Sequence, residues 1–140
     1  MDANLRREII LDHYQNPINK GLTSEENYLK ANSNSESCID NLDFMMKIED
    51  GKIKDIRFDG EACAISTSAT SIMIHTLLGR SIEEARSILE NYKNMIQEKE
   101  YDEEKLGELI VYDEISKQPN RVHCALIPSI GIEKMLEQLK

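Results

Sequence analysis

The chain has 140 residues, of which 40% are hydrophobic and 31% charged, a balance that suits one folded domain spanning residues 1–140. Its formal net charge of −9 argues against a general nucleic-acid-binding protein, because an acidic surface repels phosphate. No apolar run is long enough for a membrane span, and the charged N-terminus lacks the apolar segment of a secretory signal. We therefore expect a cytoplasmic protein, without a nucleic-acid or membrane partner, whose thiols stay reduced.

The first predicted element is a helix near the N-terminus, in which Leu5, Ile9 and His13 fall on one stripe. Pro17 is unfavourable inside a helix, so the helix is predicted to end before it. Residues 22–41 are polar and irregular in pattern, so we expect a long loop there that can hold an edge strand.

A β-hairpin is predicted next. Apolar and polar residues alternate before the Asp50–Gly51 pair, which is a strong turn signal because glycine adopts positive φ at little cost. Ile56 and Phe58 continue the return strand. Ile53 is out of phase with them, which indicates a β-bulge or a poorly defined start of that strand.

Helical patterns occupy most of the remaining sequence. An apolar helix ends near Gly79, and the spacing of Ser81 and Glu84 fits a capping box at the start of the next helix. The charged segment 97–120 is long enough for one more short helix. The last predicted helix contains Pro128, which is tolerated only near a first turn, so its start is expected close to that residue.

The three cysteines, Cys38, Cys63 and Cys124, are too few, too widely spaced and odd in number for a disulfide framework. Cys38 lies in a polar loop, Cys63 at a strand-to-helix junction, and Cys124 at or just before a predicted helix start. A helix N-terminus favours the thiolate, which binds soft metals and attacks sulfur. Three thiolates and one further ligand would complete a tetrahedral site, and Asp40 and His123 are the candidates for that ligand.

Each of these residues also has a simpler explanation. Cys63 and Cys124 have apolar neighbours and could be small core residues, whereas Cys38 could be an incidental surface cysteine. Asp40 alone is more typical of a turn or a cap, and His123 alone is more typical of a surface histidine. Spacing alone leaves these alternatives open.

Three stretches, in order, resemble the IscU/SufU family of iron–sulfur cluster assembly proteins, also called NifU N-terminal-like. "LDHYQNPINKG" resembles the family's opening helix with its DHYxNPRN signature. "GEACAISTSATSIM" resembles the GxGCxIS stretch around the second cysteine, and "RVHCALIPSIGIEKML" resembles the segment around the third. The long interval between Cys63 and Cys124 is similar to that of the SufU branch, which carries an insertion there.

The sequence departs from the family pattern at several positions. The first motif is usually close to NPxCGD, but Ile39 stands here where glycine is usual. A β-branched residue does not easily adopt positive φ, so we expect a stiffer or differently shaped loop. Ala62 replaces the second glycine of the second motif. His123 matches the IscU branch and Arg121 the SufU branch, so the chain combines features of both.

The resemblance implies an α+β fold, with a small antiparallel sheet of about three strands and helices packed mainly on one face. It also implies a metal site formed by Cys38, Asp40, Cys63 and Cys124, with His123 as the alternative fourth ligand. The implied cofactor is zinc, or alternatively iron or a transient [2Fe–2S] cluster.

The function implied by the resemblance is sulfur acceptance for iron–sulfur cluster assembly. A cysteine desulfurase would donate persulfide sulfur to Cys38, and a downstream scaffold or apo acceptor protein would receive the product. The chain would act as a scaffold or as a zinc-dependent sulfurtransferase. Two alternatives are a non-enzymatic adaptor with a structural zinc site and a binding module that has lost metal chemistry. No GxSxG, HExxH or phosphate-loop motif points to a hydrolase.

Overall fold

The computed structural model describes residues 1–35 and 39–139. Within these ranges the chain forms, in order, α1 (Ala3–Gln15), β1 (Leu29–Asn34), β2 (Asn41–Glu49), β3 (Lys52–Glu61), α2 (Ala64–Leu77), α3 (Ile82–Ile96) and α4 (Pro119–Glu137). Short 3₁₀ helices at Glu103–Lys105, Gly107–Tyr112 and Ile115–Lys117 lie between α3 and α4. The α+β class expected from the sequence is confirmed. None of the helices in the described ranges is long and apolar enough to cross a membrane.

The described strands form an antiparallel sheet in the order β1-β2-β3, with β1 as the edge strand expected within the polar segment. Asp50 and Gly51 join β2 to β3 with positive φ angles of 53° and 73°, as the turn signal predicted. The register shifts opposite the start of β3, where Ile48 pairs with Ile53. This irregularity confirms the bulge and lets Ile53 and Ile56 both enter the core.

One face of the sheet packs against the helices. Leu42, Phe44 and Phe58 on this face are buried, whereas Asp43, which points to the opposite face, is exposed. Helix α4 lies close to β2, because Gly131 has no side chain to hold it away. A Cβ atom added at Gly131 would lie 2.5 Å from the ring of Phe44. The close approach therefore fixes where α4 sits on the sheet.

Hydrogen bonds also attach the outer helices. Nδ1 of His13 on α1 is 2.7 Å from Oγ of Ser71 on α2, and the same hydroxyl accepts the N–H of Ile18 at 2.8 Å.

Helix α3 begins with the predicted capping box, in which Ser81 and Glu84 each accept the other's backbone N–H.

The predicted start of the last helix is wrong. Helix α4 begins at Pro119, where a missing N–H removes no helical bond, and Pro128 lies in its interior. Cys124 consequently lies in the second turn of α4 and not at its N-terminus. The proline is tolerated there because the carbonyl of Cys124, which Pro128 leaves without a helical donor, accepts the hydroxyl of Ser66 at 3.0 Å.

Candidate metal centre

The open end of the hairpin brings two predicted site residues together. Asp40 directly precedes β2, and Cys63 follows β3 after a single intervening residue. Asn41 pairs with Glu61, so the two strand ends lie side by side. Gly60 has a φ of +131°, and a Cβ atom there would collide with the backbone carbonyl of Asn41. A glycine is therefore needed where the strands close beneath the site.

Cys63 is the N-cap residue of α2, which confirms its predicted place at a strand-to-helix junction. Its backbone is extended, with φ −71° and ψ 173°. Its sulfur accepts the backbone N–H of Ser66 at 3.5 Å. The thiol therefore lies at the N-terminus of α2, with a backbone N–H of the first turn pointing towards it.

Asp40, Cys63 and Cys124 form a cluster in the part of the chain that the structure describes. One ligand atom from each lies within 4.8 Å of the other two. Oδ2 of Asp40 lies 3.8 Å from Sγ of Cys63. Two ligands of a tetrahedral zinc ion at ordinary bond lengths are about 3.5–3.8 Å apart. The donor set and its spacing therefore fit a zinc-sized cation after small side-chain movements.

The carboxylate of Asp40 is held in place from two sides. Asp40 is only 1% exposed. Its Oδ1 accepts the backbone N–H of Cys63 at 2.7 Å, and its Oδ2 accepts the hydroxyl of Ser66 at 2.5 Å. These bonds compensate part of the cost of burying a carboxylate and orient it towards the cysteines.

Sequence reasoning missed Ser66, which contacts all three members of the cluster. Its N–H points at Sγ of Cys63, and its hydroxyl reaches both the carboxylate of Asp40 and the backbone carbonyl of Cys124. Two signals could have indicated it. Ser66 is the third residue after the capping Cys63, a position whose N–H bonds to the cap. Pro128 lies four residues after Cys124 and has no N–H, which indicates that the carbonyl of Cys124 needs a donor from elsewhere.

The remaining predicted site residues have different positions. Cys38 lies outside the described residues. His123 is half-buried beside Cys124 on α4, and it is not a member of the three-residue cluster found among the described residues. Ile39, the residue that replaces the family's glycine, is 67% exposed next to the buried Asp40.

Two buried tyrosines pack near the cluster. Their rings meet edge to face at 6.5 Å between centroids. The hydroxyl of Tyr92 donates to the carbonyl of Ala125 at 2.6 Å, and that of Tyr112 is hydrogen-bonded to Ser68 at 2.5 Å. Burial raises the pKa of both tyrosines well above its ordinary value, so both stay neutral at physiological pH.

Comparison with known proteins gives one consistent result. Residues 5–125 match the model of the NifU-like N terminal domain. The chain is 35% identical to the zinc-dependent sulfurtransferase SufU of Bacillus subtilis, over 93% of this chain and 88% of that protein. It is 29% identical to the iron-sulfur cluster assembly scaffold protein IscU of Thermotoga maritima, over 94% and 92% of the respective chains. The crystal structure of FiSufU from Fervidobacterium islandicum superposes with a TM-score of 0.85 and 30% identity, over 96% of this chain and 99% of that one.

Proposed function

Because the chain belongs to the family of NifU-like N-terminal domains, which contains iron–sulfur cluster scaffolds and sulfur carriers, we propose that it accepts persulfide sulfur from a cysteine desulfurase at a metal site. The observation that carries the proposal is the cluster of Asp40, Cys63 and Cys124, whose ligand atoms lie within 4.8 Å of one another. Its likeness to a zinc-dependent sulfurtransferase over 93% of the chain favours zinc and sulfur relay.

The proposed ligands are the three clustered side chains together with Cys38. Cys38 precedes Asp40 by two positions in the sequence, and three thiolates with one carboxylate make a donor set that suits a four-coordinate zinc site. Zinc bound there would hold the thiolates deprotonated. His123 is the alternative fourth ligand if Asp40 does not bind the ion.

Cys38 is the proposed sulfur acceptor. Its thiolate attacks the terminal sulfur of the desulfurase persulfide, so that a new S–S bond forms on Cys38 while the S–S bond of the desulfurase breaks. The desulfurase cysteine leaves as a thiolate and takes up a proton. Cys38 then carries the persulfide, which a thiol of the downstream scaffold or apo acceptor protein can attack in the same way.

Asp40 is proposed as the ligand that makes exchange at the site easy. A carboxylate oxygen is harder than a thiolate sulfur and binds zinc less firmly. Its burial and its bond to the N–H of Cys63 keep it in place when it is not bound to a metal. It can therefore give up a metal position to an incoming ligand and return to it afterwards.

The test follows sulfur from desulfurase to protein. The purified protein is incubated with a cysteine desulfurase and cysteine, and desulfurase turnover and protein-bound persulfide are measured. We expect stimulated turnover and one persulfide per chain. Both should disappear in Cys38→Ala while its circular dichroism stays native. Undiminished stimulation by Cys38→Ala would overturn the assignment of the acceptor.

The fourth ligand needs a separate comparison. Asp40→Ala should bind zinc measurably but more weakly than the wild type, whereas His123→Ala should retain the wild-type affinity. The reverse result would make His123 the ligand and leave Asp40 a structural role.

A cluster scaffold is the second candidate function. The 29% identity to an IscU scaffold over 94% of the chain favours it, as does His123 directly before Cys124. Metal and labile sulfide are measured before and after anaerobic incubation with iron, cysteine and desulfurase. About one tightly held zinc per chain that iron displaces poorly would support the sulfur carrier. Ready formation of a sulfide-containing chromophore, lost in Cys63→Ala, would support the scaffold.

A further inference from the structure

We propose that Ser66 is the positioning residue of the metal site, and that Pro128 secures its contact with Cys124. Ser66 holds the Asp40 carboxylate against the two clustered cysteines and thereby sets the affinity of the site for its metal. This inference rests on the proposed metal-dependent function and assigns a role to two residues that are not themselves ligands.

Ser66 is fully buried in the first turn of α2, where its contacts converge. Its backbone N–H lies 3.5 Å from Sγ of Cys63, and its Oγ lies 2.5 Å from Oδ2 of Asp40 and 3.0 Å from the carbonyl oxygen of Cys124. Each of the three clustered residues comes from a different part of the fold, and Ser66 touches all of them.

Pro128 explains why the carbonyl of Cys124 faces this hydroxyl. In an uninterrupted helix that carbonyl accepts the N–H four residues later, but a proline at this position has no N–H. The carbonyl of Cys124 is left with acceptor capacity inside the protein, and the hydroxyl of Ser66 supplies a donor. The proline therefore converts a helical bond within α4 into a bond between α4 and α2 at the cysteine.

The effect on metal binding follows from the geometry of Asp40. With Ser66 present, both carboxylate oxygens have a donor, so the side chain is confined to one orientation beside Cys63. Without the hydroxyl, Oδ2 loses its 2.5 Å bond to Ser66, and the carboxylate is held less firmly in its orientation beside Cys63. Groups that orient a metal ligand in this way typically change metal affinity about 10- to 100-fold when they are removed.

The experiment measures zinc affinity by competition with a chelator, together with the visible absorption of the Co²⁺-substituted protein. Ser66→Ala should bind zinc about 10- to 100-fold more weakly than the wild type, and its Co²⁺ spectrum should shift towards that of Asp40→Ala. Ser68→Ala is the matched control, since Ser68 is equally buried on α2 but bonds to Tyr112. The control should retain wild-type zinc affinity and the wild-type Co²⁺ spectrum.

A second comparison separates positioning from general loosening of the fold. If Ser66 acts through the carboxylate, Ser66→Ala should cause little further loss of zinc affinity in an Asp40→Ala background. An equal loss in both backgrounds, a zinc affinity within twofold of wild type for Ser66→Ala, or the same loss in Ser68→Ala would each overturn the inference.

If Ser66→Ala does not fold, the substitution is combined with Pro128→Ala, which gives the carbonyl of Cys124 its own helical donor. The zinc affinity of this double variant is then compared with that of Pro128→Ala alone. A tenfold or larger loss of zinc affinity in that pair supports the inference, and equal affinities overturn it. A wild-type protein that binds no zinc or Co²⁺ would overturn the proposed metal site and the inference with it. Zinc binding by the wild type that Ser66→Ala retains would overturn only the inference.

Discussion

The backbone N–H of Cys63 donates a hydrogen bond to Oδ1 of Asp40 at 2.7 Å, so two of the proposed ligands are joined without a metal. The bond links the residue before β2 to the N-cap of α2. It also places the carboxylate at the positive end of that helix, where a negative charge is stabilised. The cluster is thus assembled by the fold, and a bound ion would be held by groups that already lie close together.

This arrangement predicts that the metal-free protein stays folded. After treatment with a chelator and a reductant, we expect native circular dichroism and a cooperative unfolding transition. Zinc at about 100 times its dissociation constant should then raise the free energy of unfolding by about 2.7 kcal/mol, and at the same zinc concentration Asp40→Ala should show a smaller increase. Unfolding on chelation would instead indicate a structural zinc site, as in the adaptor alternative.

Ser66 and Pro128 should be coupled in stability. In the metal-free protein, Ser66→Ala should lower the free energy of unfolding by about 1–3 kcal/mol, because two buried acceptors lose the single hydroxyl proton that they share. In a Pro128→Ala background the loss should be about 1 kcal/mol smaller, since the carbonyl of Cys124 then accepts the N–H of residue 128. Urea unfolding of the four proteins measures this difference. Equal losses in the two backgrounds would show that Pro128 does not create the need for Ser66.

The elements predicted correctly from the sequence are those set by local rules. The Asp50–Gly51 turn, the irregular register at Ile53 and the Ser81–Glu84 capping box all follow from backbone preferences or side-chain periodicity within a few residues. The same kind of reasoning placed Cys63 at a strand-to-helix junction, because small and hydroxyl residues lead there from the predicted hairpin into an apolar helix.

The start of α4 was predicted wrongly because the stabilising partner is distant in sequence. A proline at position 128 removes the N–H that would bond to the carbonyl of Cys124, and part of that cost is offset here by the hydroxyl of Ser66, which comes from α2. The convergence of Asp40, Cys63 and Cys124 likewise depends on how α4 packs on the sheet. Local sequence patterns carry no information about such packing, so the prediction that these residues share one site depended on the family resemblance.

The two buried tyrosines should make the protein sensitive to alkaline pH. Burial raises the pKa of Tyr92 and Tyr112 in the folded state, so the unfolded chain loses these protons first, near pH 10. Their contribution to stability is therefore complete below pH 10 and decreases above it, by roughly 1.4 kcal/mol per pH unit for each tyrosine.

Unfolding by urea at several pH values between 9 and 11.5 measures this dependence. Tyr92→Phe cannot ionise at this position and should show a shallower loss of stability above pH 10 than the wild type. Parallel curves for the two proteins would contradict the predicted ionisation behaviour of Tyr92.

Gly131 sets the distance between α4 and the sheet, and through α4 it sets the position of Cys124. Alanine normally stabilises a helix by about 1 kcal/mol relative to glycine. Here its Cβ would lie 2.5 Å from the ring of Phe44, so we expect Gly131→Ala to lower the free energy of unfolding by about 1–3 kcal/mol. Because the displaced helix carries Cys124, zinc affinity should fall as well. The matched comparison is Gly131→Ala in a Phe44→Leu background, where the smaller side chain leaves room and most of the loss should disappear. Stabilisation by Gly131→Ala alone would show that α4 does not depend on this close approach.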